Sequence, residues 1–193
     1  MMESDATNIE HAIAEKISGL RTSRGMTLDQ LAQASSVSRA MISRIERGEA
    51  TPTAALLARI CSAFGMTLSR FFTDDDEQAK PLLRYTEQPT WKDPETGYVR
   101  RAVSPPGAGS PVDIVDVMLP TGARVSFPPH AASRGMNQYV WLLEGVLDMT
   151  TGGETHRLEA GDCLFMPVGE GHSFHNPSSK TARYAVVLDQ RTS

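Results

Sequence analysis

The chain has 193 residues, 40% of them apolar and 22% charged, with a formal net charge of −4. That is ordinary globular composition with room for one domain or two small ones. No apolar run approaches the roughly 20 residues of a membrane span, and the polar, acidic start MMESDATNIEH does not read as a signal peptide, so a cytoplasmic protein with no membrane partner is expected.

Residues 1–8 read as a short disordered tail. From Ile9 the series Ile9, Ile13, Ile17, Leu20 marks one face of a helix that ends at Gly25. Thr27 then offers a cap with Gln30 three residues on, a T-x-x-Q capping box, and Leu28, Leu31 and Ala32 continue at helical spacing. Ser35 and Ser36 break that pattern, because short hydroxyl side chains compete for backbone hydrogen bonds. Val37 plugs the corner, Ser38 can cap a second helix, Ile42 and Ile45 supply its buried stripe, and Gly48 ends it. Thr51-Pro52 predicts a cap followed by proline at the first position of the next helix, which Leu56, Leu57, Ile60, Cys61 and Phe64 carry to Gly65. A fifth, short helix is expected from Thr67 to Phe72.

The second helix of the Thr27–Gly48 unit leaves Arg39, Ala40, Ser43, Arg44 and Arg47 outside its Ile42/Ile45 face. Arginines and small residues on an exposed helix suit a DNA major groove, where Arg can bond guanine bidentately. Periodicity alone fits equally a helical hairpin with a basic, solvated face. Charge is unevenly distributed. Residues 9–72 hold eight basic against five acidic side chains, so the net negative charge lies elsewhere and a basic reader beside an acidic partner domain is consistent with it.

Residues 74–80 are dominated by acidic and small side chains and are expected to form an acidic linker between a domain at 9–73 and another at 81–193. Beyond it the texture changes to short apolar runs at 112–119, 124–127, 138–143, 146–149, 163–166 and 184–188. Turn residues separate them, and the Ser104-Pro105-Pro106-Gly107 cluster makes 103–111 a loop. Many short strands at such spacing predict an all-β sandwich or barrel. Cys61, in a helical pattern, and Cys163, in a strand-like run, are expected to be core thiols in a reducing compartment rather than a disulfide.

Two strings resemble known families. The first is I-x-x-L-R-x-x-R-G-M-T-x-x-x-L-A from Ile17 to Ala32, followed by V-S-R-x-x-I-S-R-I-E-R-G-E-x-x-P-T from Val37 to Thr53. It resembles the XRE-type helix-turn-helix domain, an all-α, five-helix fold of the lambda repressor and Cro kind. That resemblance implies a double-stranded DNA operator as partner, with Arg39, Ala40, Ser43 and Arg44 reading bases, Ser38 capping the recognition helix at the DNA face, and Thr27, Gln33, Arg47 and Thr53 contacting the phosphate backbone. It also makes Arg21 and Glu46 an internal pair.

The second string, GDCLFMPVGEGHSFHN from Gly161 to Asn176, fits the cupin motif G-x5-P-x-G-x2-H-x3-N without a mismatch. Upstream, Gly122, His130, Gln138 and Gly145 resemble the other cupin motif in part: its second histidine is absent and Gln138 stands where that motif has glutamate. The resemblance implies an all-β cupin, a double-stranded β-helix or jelly-roll barrel that binds an effector and forms a homodimer. Its ligand-binding candidates are His130, Arg134, Gln138 and His172. The plainer reading of His172 is a hydrogen-bonded core histidine, against which the cavity inside this fold counts, and Arg134 could equally be a solvated loop residue. His130, Gln138 and His172 form an incomplete set for a divalent metal, the one cofactor such a pocket could take up, since an amide is a weak ligand beside imidazole or carboxylate. Trp141 alternates with inward residues and is expected to point outward, into a subunit contact or simply along the sheet surface.

Together the two resemblances imply a regulator that senses a small metabolite, of amino-acid, polyamine or sulfur metabolism, and no catalytic residues are assigned. The competing reading is a metal-dependent cupin isomerase or dioxygenase fused to a DNA-binding domain.

Overall fold

In the computed structural model, residues 2–72, 81–106, 110–129 and 135–189 are described, with the backbone alone described for 2–8. Helix α1 (Met2–Ser23) begins well before Ile9, so most of the stretch expected to be a disordered tail is helical; no proline or glycine interrupts the chain there. At its end Gly25 (φ +64°) donates to the Thr22 carbonyl and Met26 to that of Arg21, a left-handed stop that suits glycine.

Helix α2 (Leu28–Ser35) starts on the capping box expected of it: Gln30 N donates to Thr27 Oγ1 at 3.1 Å, and Thr27 N to Gln30 Oε1 at 2.7 Å. Ser36, at φ +55°, turns the chain into α3 (Arg39–Glu46), while Val37 is buried in the corner. Ser38 caps α3 by accepting from Met41 N at 3.2 Å. Gly48 (φ +70°) closes it, donating to Ile45 O at 2.9 Å as Glu49 donates to Arg44 O at 2.8 Å.

The next helix, α4 (Ala54–Ala63), is capped by Thr53 and not by Thr51. Thr53 has the extended backbone a cap needs, and its Oγ1 accepts from Leu56 N at 3.3 Å, so Pro52 lies before the helix. Helix α5 (Leu68–Phe71) follows, capped by Thr67.

Among the described residues ten strands form two antiparallel sheets. The larger has the order β1 (Thr90–Lys92), β2 (Val99–Ala102), β3 (Val112–Leu119), β10 (Ala182–Asp189), β5 (Asn137–Glu144), β8 (Cys163–Pro167). The smaller is β4 (Arg124–Phe127), β9 (His172–His175), β6 (Val146–Thr151), β7 (Glu154–Glu159). Gly152 and Gly153, both at positive φ, make the two-residue turn between β6 and β7. Alternation sends Val115, Val117, Val140, Leu142, Tyr184 and Val186 of one sheet, and Val125, Leu147, Met149 and Phe174 of the other, into the core. The Phe174 and Tyr184 rings stack at 5.3 Å between the sheets. Asn176, wholly buried, donates from Nδ2 to the Leu119 and Lys180 carbonyls, so the last residue of the cupin-like string holds two chain crossings together. Cys61 is buried, but Cys163 is exposed, contrary to the core position expected of it. Its register partner Trp141 lies on the outer face, and an odd–even alternation leaves no choice of side.

The helical and β regions share one continuous core through Phe71, Phe72, Trp91 and Tyr98. Trp91, 2% exposed, lies 5.8 Å from the Phe72 ring. Beside it the buried Asp93 carboxylate accepts from Glu95 N at 2.8 Å and Thr96 N at 2.9 Å with Oδ1, forming the β1–β2 turn. Its Oδ2 accepts from Ala54 N, the first residue of α4. A strand residue thus caps a helix of the other region.

Candidate functional site

Two arrangements carry chemistry. On the helical side Ile42 and Ile45 bury one face of α3 against α1 and α2, leaving Arg39, Ala40, Arg44 and Arg47 exposed and Ser43 half-buried. Arg21 and Glu46 form a bidentate pair, Nε to Oε1 at 2.7 Å and Nη2 to Oε2 at 2.8 Å, and Arg21 Nη1 also donates to Met26 O at 3.0 Å. That pair holds the end of α3 to α1 and is structural. Arg24, although exposed, is also engaged, donating to the Phe64 carbonyl over that residue's ring.

The outward arginines differ from one another. Arg39 Nε lies 3.3 Å from Asp29 Oδ1 in an exposed pair that competes weakly with other partners. Arg47 is clamped by Glu49, with both contacts at 2.7 Å, and donates to Ser43 Oγ, so its fork faces along its own helix. Among the described residues the Arg44 side chain makes no hydrogen bond or ion pair. Thr27, Ser38 and Thr53 each accept from a helix N-terminal amide, which leaves the hydroxyl proton of each available to an outside acceptor such as phosphate oxygen. Gln33 is exposed on α2.

On the β side Gln138 and His172 do line one cavity, of about 100 Å³. His130 and Arg134 lie outside the described residues. Gln138, 3% exposed, donates from Nε2 to Met166 Sδ at 3.2 Å, a weak acceptor for a buried amide. His172 sits between the Phe127 and Phe174 rings with Nδ1 3.3 Å from Glu170 O. Burial holds its pKa below the usual histidine range although the Glu170 carbonyl pulls the other way, so the imidazole is neutral near pH 7.

The cavity contains a cation that the motifs did not point to. Arg100, on β2, is 5% exposed and lines the cavity beside Tyr98. The sequence signal was the segment W-K-D-P-E-T-G-Y-V-R, a turn flanked by aromatic residues with Tyr98 and Arg100 on one side of a strand. Ala58 of α4 and Leu68 and Ser69 of α5 close the other side of the same cavity.

These donors do not make a metal centre. An imidazole, an amide turned to a thioether and a guanidinium offer too few anionic or neutral ligands, and among the described residues no three His, Cys, Asp or Glu side chains converge. His175 belongs to another cluster: its Nδ1 is 3.6 Å from Asp148 Oδ2, which Arg157 also pairs. Among the described residues no helix is long and apolar enough to cross a membrane.

Known proteins share this arrangement. A helix-turn-helix family model matches residues 17–71 and a cupin domain model matches residues 115–188. The HTH-type transcriptional regulator SutR of Escherichia coli (strain K12) is 25% identical over 181 residues, 94% of this chain and 96% of that protein. The HTH-type transcriptional regulator PuuR of the same strain is 22% identical over 89% of this chain and 91% of its own. A crystal structure of an HTH_3 family transcriptional regulator from Vibrio cholerae matches with a TM-score of 0.76 at 28% identity, covering 95% of this chain and 98% of that one. Two domain matches in the same order, on a fold shared nearly end to end, give this chain an XRE-type helix-turn-helix domain followed by a cupin domain and make it a homologue of HTH-type transcriptional regulators.

Proposed function

We propose that the protein binds an operator as a homodimer and adjusts that binding to a small molecule held in the cupin cavity. The observation that carries the DNA half is Arg44: an exposed guanidinium on the second helix of the helix-turn-helix, with no partner among the described residues, on a helix anchored by Ile42, Ile45 and the Arg21–Glu46 pair. Arg39, Ala40, Ser43 and Arg44 read base edges. Thr27, Gln33, Ser38, Arg47 and Thr53 position the backbone, Arg47 after exchanging Glu49 for phosphate.

The two sheets close as a cupin barrel, and the dimer forms through the outer face of the larger one. Ile114, Val187, Tyr139 and Phe165 are register partners in a row across β3, β10, β5 and β8, and Trp141, half exposed, lies in the next row. That is an unusual concentration of exposed large apolar side chains for a monomer. Cavity chemistry supports a sensor and not an enzyme, because among the described residues neither a metal set nor a paired acid and base lines it. The regulator acts in the cytoplasm.

Selection of bound duplexes from a random library by the full chain tests this reading. Enrichment of a palindrome with half-sites one helical turn apart, about 34 Å, is expected of two α3 helices related by a dyad. A single unrepeated site would remove the dimer, and no enrichment would remove the operator.

A further inference from the structure

The cavity residue that most needs an explanation is Arg100. Its guanidinium is almost wholly out of water, yet it makes no ion pair among the described residues. Nη2 donates to Ser69 Oγ at 2.5 Å, and Cζ stands 5.2 Å from the Phe72 ring centre. Asp113, on the inward-facing side of β3, attracts it, whereas Tyr98 and Cys61, both pushed up to about 12 by burial, stay neutral. One hydroxyl and one ring face satisfy little of a five-donor cation, and an isolated buried charge is costly unless it is paired. Gln138, in the same cavity, has among the described residues a thioether as partner for its amide. Thr67, Tyr98 and the neutral His172 are the other polar groups of the wall, and the rest is apolar, including Val117, Phe174 and Val186.

We infer that the cavity binds a small organic acid, its carboxylate on Arg100 and its short apolar body against the inner sheet, and that the DNA-binding domain reads its presence directly. This rests on the cupin being a sensor. A buried guanidinium repels a polyamine, so that class is excluded from the effectors the family resemblance allows.

The readout follows from who owns the wall. Ala58 lies on α4 and Ser69 on α5, both helices of the reader, and α4 packs on α2, which packs on the recognition helix. A carboxylate drawn to Arg100 competes with Ser69 for the guanidinium. Occupancy therefore changes the bond that ties α5 to β2, and a ligand that favours one junction geometry shifts the reader with it.

The test uses the full chain carrying Trp141→Phe, which leaves Trp91 as the sole tryptophan, stacked at the junction. Propionate, propionamide and putrescine are titrated to tens of millimolar, following Tm and Trp91 emission. Propionate at tenfold excess over its Kd should raise Tm by about 4 °C and shift the emission, with no response to the amide or the diamine. Arg100→Met should melt no lower than its parent, since it removes an unpaired charge, and should lose the propionate response; Arg100→Lys should retain part of it.

Equal responses to propionate and propionamide, or none to either, would overturn the carboxylate assignment. An Arg100→Met protein that melts lower and still responds would make Arg100 a structural residue. A Tm rise with unmoved Trp91 emission would overturn the coupling. DNA binding and the propionate Tm response are also measured on the parent chain, with Trp141 intact: a parent that binds propionate but no duplex fails the regulator reading alone, and one that binds duplex but ignores propionate fails this inference alone.

Discussion

The junction between the two regions hangs on Asp93, and Asp93→Asn tests it with minimal steric change. In the parent, Oδ1 closes the Glu95–Thr96 turn and Oδ2 accepts the first amide of α4. Asparagine keeps one oxygen for the turn but presents an NH₂ group to Ala54 N–H, so a charge-assisted bond becomes a meeting of two donors. Losing a hydrogen bond to a charged group costs about 1.5–3 kcal/mol. Losing the negative charge at a helix N-terminus adds about 0.3–1 kcal/mol. The sum, about 2–4 kcal/mol, corresponds to a fall of about 6–12 °C in Tm for a chain of this size. Urea unfolding of Asp93→Asn in the Trp141→Phe background, followed by Trp91 emission and by far-UV circular dichroism, should also separate into two transitions, emission changing first. A variant that melts within about 1 °C of its parent, with the two signals coincident, would show that the cap contributes nothing and that the regions are held by their apolar contact alone.

Glu46→Ala strands the Arg21 guanidinium at the base of α3 and should cost about 3–5 kcal/mol by thermal denaturation, unfolding the reader; an unchanged Tm would contradict the structural role of the pair. His172 is held neutral by burial, with a folded pKa below its unfolded value. The unfolded chain therefore binds the extra proton first, and His172 contributes stability that is full above about pH 6.5 and falls as pH drops towards the folded value; in His172→Gln that part of the pH–Tm profile should flatten. Asp116 behaves as acids usually do: burial works to raise its pKa, but Arg183 and Arg101 prevail and hold it lower, so its stabilisation is lost as pH falls below the unfolded carboxyl range. An aromatic disulfide reagent should titrate at most one thiol in the native chain, since Cys163 lies on the proposed dimer face, and two in urea. Cys163 is exposed, whereas burial pushes the Cys61 thiol up to about 12; two native thiols would refute the placement of Cys61.

The reader was legible in the sequence because its signals are local. A capping box, a left-handed glycine and an Ile42/Ile45 stripe act within a few residues, and each has the geometry expected of it. Pro52 misled by one cap because two threonines flank it and only the folded backbone chooses between them. Strands β1, β2, β7 and β9 were missed: they are short or polar, and Glu154–Glu159 buries only Leu158. The cavity was half legible. Gln138 and His172 stand on a motif, but Arg100 and Ser69 come from segments distant in sequence, and no spacing rule links a β2 arginine to a fifth-helix serine. Cys163 could not be placed without the register that opposes it to Trp141.

The most direct test of the account is the affinity of the full chain, with and without Arg44→Ala, for the selected operator and for a scrambled duplex at one salt concentration. Loss of a base-reading arginine should cost about 1–3 kcal/mol on the operator, leave the scrambled duplex nearly unchanged and leave the melting temperature intact. Equal weakening on both duplexes would make Arg44 a phosphate contact, and undiminished operator binding would mean that α3 is not the element that reads DNA.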